Sequence, residues 1–128
     1  MIAEYFYDSW AIMASFGSPA MKPCFREGRG KTTWLNLMEL YWSLLRDGAT
    51  EAEAEETVSS FRPVPIEFTF EEVKGAMSLR FDWRKRVKAI SYADAIGYHL
   101  ARSRRMLFLT GDPAFKRAPG ATFIRIPG

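Results

Sequence analysis

Apolar residues in this chain change their spacing several times, and each change marks an element. Residues 2–7 form a short aromatic-rich run that stops at Asp8-Ser9, a helix-start signal. This predicts a strand feeding a helix over residues 9–16. Gly17-Ser18-Pro19 reads as a turn and Glu27-Gly28-Arg29-Gly30 as a loop. Across residues 31–47, Trp34, Leu35, Leu37, Met38, Tyr41, Trp42, Leu44 and Leu45 recur at helical spacing, and Gly48 follows at the capping position. Thr50 opens a Glu-rich helix whose early acids complement the helix dipole, and Arg62-Pro63-Val64-Pro65 breaks it. A strand is predicted at residues 66–69 and a helix at 70–82. Ser91-Tyr92-Ala93-Asp94 has the capping-box pattern ahead of apolar Ala95, Ile96, Tyr98 and Leu100. Met106-Leu107-Phe108-Leu109 reads as a buried strand ending at Thr110-Gly111-Asp112-Pro113, and residues 122–126 as the last strand.

Strands alternating with helices predict an α/β fold, with a mainly parallel central sheet between helical layers. Ligands of such sheets bind beyond the carboxyl ends of the strands. Asp8 and Asp112 each follow an apolar strand and fall at that edge. Glu39 shares a polar, mostly uncharged helix face with Thr32, Asn36 and Ser43, and Asp94 lies in the first turn after Ser91. Each acid also has a plain structural reading. Asp8 and Asp94 cap helices, Asp112 initiates a turn before Pro113, and Glu39 is solvated. Capping and a shared site are compatible, because helix N-termini and strand ends border one cleft. Carboxylates that converge raise one another's pKa unless a cation neutralises them. Hard divalent cations such as Mg²⁺ or Mn²⁺ prefer oxygen ligands and act on phosphates. Ser9, Asn36 and Thr110 stand beside the acids as groups that would orient carboxylates and bound waters.

Composition narrows the chemistry. The 128 residues make one domain, 1–128, and 48% hydrophobic content supplies a core. Cys24 is the single cysteine and His99 the single histidine, which leaves zinc without its usual ligands and oxygen-ligated metals as the expectation. His99 reads as structural or surface, and Cys24 as inert. No apolar run approaches the roughly 18 residues of a membrane span, and the start lacks a basic leader region. A soluble, cytoplasmic protein is expected. The net charge of +3 is unevenly spread. From Asp82 onward ten basic residues face three acids, a balance of +7, whereas residues 1–81 hold eight against twelve, a balance of −4. A basic half suits a polyanionic partner. The aromatic set Phe6, Tyr7, Trp10, Trp34, Tyr41, Trp42 and Trp83 is read mainly as core, with some members left for a dimer or partner surface.

Four stretches carry a family resemblance. Phe6-Tyr7-Asp8-Ser9-Trp10-Ala11, Thr33-Trp34-Leu35-Asn36-Leu37-Met38-Glu39-Leu40-Tyr41, Ser91-Tyr92-Ala93-Asp94-Ala95 and Leu109-Thr110-Gly111-Asp112-Pro113-Ala114-Phe115 resemble the acidic motifs of PIN-domain ribonucleases. Their order and spacing resemble the VapC toxins of prokaryotic toxin–antitoxin pairs. Trp10 and Met13 depart from that pattern in being bulkier. The resemblance implies a three-layer α/β/α fold, RNA cleavage dependent on Mg²⁺ or Mn²⁺, homodimers, and inhibition by a small antitoxin. Asp8, Glu39, Asp94 and Asp112 would then be the catalytic and metal-holding acids, with Arg84, Lys85, Arg86, Lys116 and Arg117 on the RNA backbone. One rival is a non-catalytic RNA- or ribosome-binding module of the same fold. A receiver-like phosphotransfer domain is a more distant one, since Asp8 has no acidic partner after the first strand and no Lys follows the last.

Overall fold

The computed structural model describes residues 4–16, 25, 30–60, 64–85 and 90–123. Their elements run β1 (Tyr5–Tyr7), α1 (Ser9–Ser15), β2 (Gly30–Thr32), α2 (Trp34–Arg46), α3 (Glu51–Ser60), β3 (Val64–Pro65), α4 (Phe70–Trp83), α5 (Tyr92–Ser103), β4 (Leu107–Thr110) and β5 (Ala121–Phe123). A 3₁₀ turn, Pro113–Phe115, lies between β4 and β5. The strands form one parallel sheet in the order β3-β2-β1-β4-β5.

Alternation along two short strands builds the three layers. Successive strand side chains point to opposite faces, and β1 pairs with β4 so that Phe6 lies beside Phe108 and Tyr7 beside Leu109. Phe6 and Phe108 enter a core with Ile96, Tyr98, Leu100 and Phe115, on the side of α4 and α5. Tyr7 and Leu109 enter a second core with Ala11, Ile12, Leu37 and Leu40, on the side of α1 and α2. Each face is therefore sealed by its own pair of helices.

Strand order fixes where a cleft opens. The chain builds outward from β1 through β2 to β3, then returns to lay β4 and β5 on the opposite side of β1. The connections above β1 and β4 diverge, and this reversal is where α/β sheets place their ligands. Asp8 leaves the end of β1, and Asp112 follows β4 by two residues.

Two sequence expectations are corrected. Gly30, expected in a loop, and Lys31 and Thr32, expected in a helix, form strand β2, and α2 begins only at Trp34 because Thr33 caps it. The strand expected at residues 66–69 is displaced to Val64–Pro65. Pro65 is tolerated there because β3 is an edge strand, with only β2 beside it. The Ile66 amide continues the ladder to the Thr32 carbonyl at 2.8 Å, but residues 66–69 then turn to Thr69, which caps α4 with Glu72. The other elements fall within a few residues of expectation. Cys24 and the readings at residues 17–19, 27–29, 62–63 and 124–126 lie outside the described residues. No described helix is long and apolar enough to cross a membrane.

Helix α5 approaches the sheet through Gly97, which is buried. A Cβ there would sit 2.5 Å from Phe6 Cε1 and 2.9 Å from Cζ. Gly97→Val is therefore expected to lower unfolding stability by about 1–3 kcal/mol through overpacking. Urea denaturation measures this, and an unchanged midpoint would contradict the close helix–sheet contact.

Candidate metal centre

Asp8 is fully buried at the end of β1. Its Oδ1 accepts a 2.7 Å hydrogen bond from the Ala11 amide and so caps α1, as the sequence suggested. The cap uses only half of the carboxylate. Oδ2 is buried and makes no hydrogen bond, and a buried carboxylate oxygen without a partner is costly. Burial, foremost, raises the Asp8 pKa from 3.8 to about 7, and Asp112 and Glu39 push it the same way. The Thr110 hydroxyl and the Ala11 amide only partly offset that rise.

Asp94 presents the same electrostatics from α5. The Ser91 hydroxyl accepts from the Asp94 amide at 3.0 Å, which forms one half of the expected capping box. Burial is again the largest cause of its raised pKa, about 8, followed by repulsion from Asp8, Glu39 and Asp112. Four acids separated along the chain thus act on one another in space. No described Lys, Arg or His forms an ion pair with any of them. Among the described residues the repulsion is left without a counter-charge.

The α1–α2 side of the site is organised by a directed chain of hydrogen bonds. Thr33 Oγ1 donates to Asn36 Oδ1 at 2.7 Å, and Asn36 Nδ2 donates to Ser9 Oγ at 3.1 Å. Ser9 Oγ in turn donates to Glu39 Oε1 at 2.6 Å. Thr33 and Asn36 are fully buried, so each depends on these partners. Ser9 and Asn36 therefore hold Glu39. Thr33 is a member that composition alone did not single out, although its spacing to Asn36 is that of an N-cap. Thr32 ties the same edge together by donating to the Tyr7 carbonyl at 3.0 Å.

Asp112 is held by the 3₁₀ turn. Its Oδ1 accepts from the Ala114 amide at 2.9 Å, and its own amide donates to Thr110 Oγ1 at 3.0 Å. The bulky Trp10 finds its place here, because its ring occupies the space a side chain at Gly111 would need. Trp10 on the Asp8 segment thus packs against the backbone that carries Asp112.

Among the described residues, no three His, Cys, Asp or Glu side chains form a ready-made metal-binding group. The arrangement fits Mg²⁺ better than it fits a metal that demands a complete protein cage. Mg²⁺ keeps several waters and is held by one or two carboxylates together with substrate phosphates. The partnerless Oδ2 of Asp8 is the one atom that most clearly lacks such a ligand. Of the expected RNA-contacting cations, Arg84, Lys85, Lys116 and Arg117 are exposed and away from these bonds. Arg86 lies outside the described residues.

The raised pKa values set a pH dependence. Unfolded, Asp8 and Asp94 titrate near 3.8, so up to about pH 8 the folded chain holds protons that the unfolded chain has released. Stability of chelator-treated protein should fall as pH rises through this window, by up to about 1.4 kcal/mol per pH unit for each retained proton. Urea unfolding at a series of pH values measures the slope, which Asp94→Asn should flatten. A wild-type midpoint that rises with pH would contradict the coupling.

Comparison with known proteins agrees with this geometry. The PIN domain family model matches residues 20–121. A toxin–antitoxin complex from Klebsiella pneumoniae superposes with a TM-score of 0.72 at 16% identity, over 96% of this chain and 100% of that one. VapBC2 from Rickettsia felis, bound to a DNA fragment from its promoter, gives 0.71 at 13% identity, over 96% and 98%. Mycobacterium tuberculosis VapC20, a sarcin–ricin loop cleaving toxin, gives 0.66 at 18% identity, over 98% and 100%. At these identities the structural likeness establishes the fold. No curated protein matches the sequence. The family match stops short of Asp8, yet the structure joins Asp8 to the acids within it, and over most of its length the chain belongs to the PIN domain family.

Proposed function

We propose that this chain is an endoribonuclease that hydrolyses RNA phosphodiester bonds with a divalent cation, Mg²⁺ or Mn²⁺. The observation that carries the reading is the mutual repulsion of Asp8, Glu39, Asp94 and Asp112 at the sheet's switch point, with Asp8 Oδ2 left partnerless. Asp8 and Asp94 would hold the cation, with Glu39 and Asp112 binding it directly or through water. When bound, such a cation lowers the pKa of water and offsets charge developing on a phosphate.

The protein's own groups supply orientation. Thr33, Asn36 and Ser9 fix one carboxylate oxygen of Glu39, and the Ala114 amide fixes one of Asp112. Burial of Asp8 keeps bulk water from screening its charge. A carboxylate of the set would take the proton from the attacking water. Lys85, Lys116 and Arg117 are exposed and could meet phosphates outside the cleft, as could Arg84, whose guanidinium also donates to the Phe81 carbonyl.

A toxin role, with a small antitoxin and a homodimer, is the biological setting proposed. The solved neighbours are described as toxin–antitoxin proteins. An exposed apolar stripe on α2, with Trp34 67%, Met38 60% and Trp42 60% exposed, also favours a protein partner. The aromatic set divides between core and surface: Phe6 and Tyr7 are core, whereas Trp34 and Trp42 face outward.

Asp8→Asn and Asp94→Asn should each reduce Mn²⁺-stimulated cleavage of single-stranded RNA by at least about 100-fold while the circular dichroism spectrum is kept. Chelator should abolish wild-type cleavage. Cleavage that ignores both the substitutions and the chelator would refute the mechanism. RNA binding that persists without any turnover would instead favour the non-catalytic module.

A further inference from the structure

A cavity of about 790 Å³ opens on the flank of the molecule, and none of the four acids lines it. Its walls include Leu79 and Trp83 from α4, Tyr98 and Arg102 from α5, and Ala114 and Arg117 from the turn after Asp112. The volume falls within the range of ligand pockets. Three observations indicate what it would hold. Trp83 and Tyr98 give it an aromatic wall, their ring centroids 5.2 Å apart, and the Tyr98 hydroxyl is anchored by donating to the Pro119 carbonyl at 2.6 Å. Among the described residues, Arg102 and Arg117 form no ion pair and no acid lines the cavity. Arg102, though exposed, lies over Gly120. Gly120 carries no side chain, and a Cβ there would lie 2.7 Å from Arg102 Nη1.

Two segments lead from the carboxylate centre into this cavity. On α5, Asp94, Tyr98 and Arg102 recur every fourth residue, so they share one face of the helix. Eight residues of helix span about 12 Å. After β4, the chain runs from Asp112 to Ala114 and Arg117. A ligand with a planar apolar body and a negative charge, extended along this face, would meet the acids at one end and the arginines at the other.

Resting on the ribonuclease reading above, we propose that the cavity is an accessory subsite for one nucleotide of single-stranded RNA, flanking the scissile bond. Its base packs against Trp83, which Tyr98 backs from the core, and its phosphates meet Arg102 and Arg117. Stacking and guanidinium contacts of this kind hold single strands without demanding a sequence.

The test measures binding of labelled single-stranded RNA to the full chain in chelator, across a salt series, followed by cleavage kinetics with Mn²⁺. Arg102→Gln/Arg117→Gln should weaken binding at least ~10-fold and reduce the slope of log Kd against log salt by about 1.4, the value for two lost phosphate contacts. The same variant should raise KM with little change in kcat. Arg46→Gln/Lys74→Gln removes equal charge elsewhere and should leave binding near wild type. Trp83→Leu should weaken binding by roughly 5- to 100-fold. Equal effects from the two double variants would overturn the subsite, because net charge alone would then be responsible. An unchanged slope and KM in the Arg102/Arg117 variant, with wild-type cleavage intact, would overturn it and leave the ribonuclease reading standing. Wild-type protein that neither binds nor cleaves RNA would remove both.

Discussion

Four carboxylates brought to one end of a parallel sheet, with no cation among the described residues paired to them, are the constraint around which the rest is arranged. Burial alone penalises a charged Asp8, and Asp112 and Glu39 add to that penalty. A chain under no other demand would lower its energy by placing an Arg or an amide among them. Here the polar resources run the other way. Thr33, Asn36 and Ser9 form a hydrogen-bond chain that ends on Glu39, and the Ala114 amide holds Asp112. These groups hold acids in place without neutralising them, an arrangement that suits the cation proposed above.

The sheet makes this possible by its order. With β1 central and β4 beside it, the ends of two adjacent strands deliver Asp8 and Asp112 to the same opening. Helices starting near that opening, α2 and α5, add Glu39 and Asp94 within their first two turns. Helix starts also offer capping hydroxyls, so Thr33 and Ser91 serve the local fold and border the site at once. Gly111 and Trp10 show the same economy, one giving up a side chain so that the other can bind the two acid-bearing segments together.

Much of this was legible in the sequence because strong local signals coincide with the candidate site positions. The Asp8-Ser9 helix start, the helical periodicity of α2, the Ser91 cap and the Thr110-Gly111-Asp112-Pro113 stop all lie where the structure has them. Gly30-Lys31-Thr32 escaped because it has no apolar alternation. It becomes a strand through pairing with β1 and through the Thr32 bond to the Tyr7 carbonyl, both tertiary effects. Val64-Pro65 was read as a breaker since proline lacks a ladder donor, and only its edge position admits it. The flank cavity was invisible for a different reason. Trp83, Tyr98, Arg102 and Arg117 come from three segments whose meeting depends on how α4 packs on α5. Even the exposed α2 stripe follows from geometry, because the apolar face of that helix is wider than the surface available to cover it.

The central claim is that a cation belongs among the four acids. Anomalous diffraction from crystals of the full chain soaked in Mn²⁺ tests it most directly. A peak within ligating distance of Asp8 Oδ2 and at least one of Glu39, Asp94 and Asp112 is expected. Density confined to the exposed glutamates of α3, with none at Asp8, would contradict it.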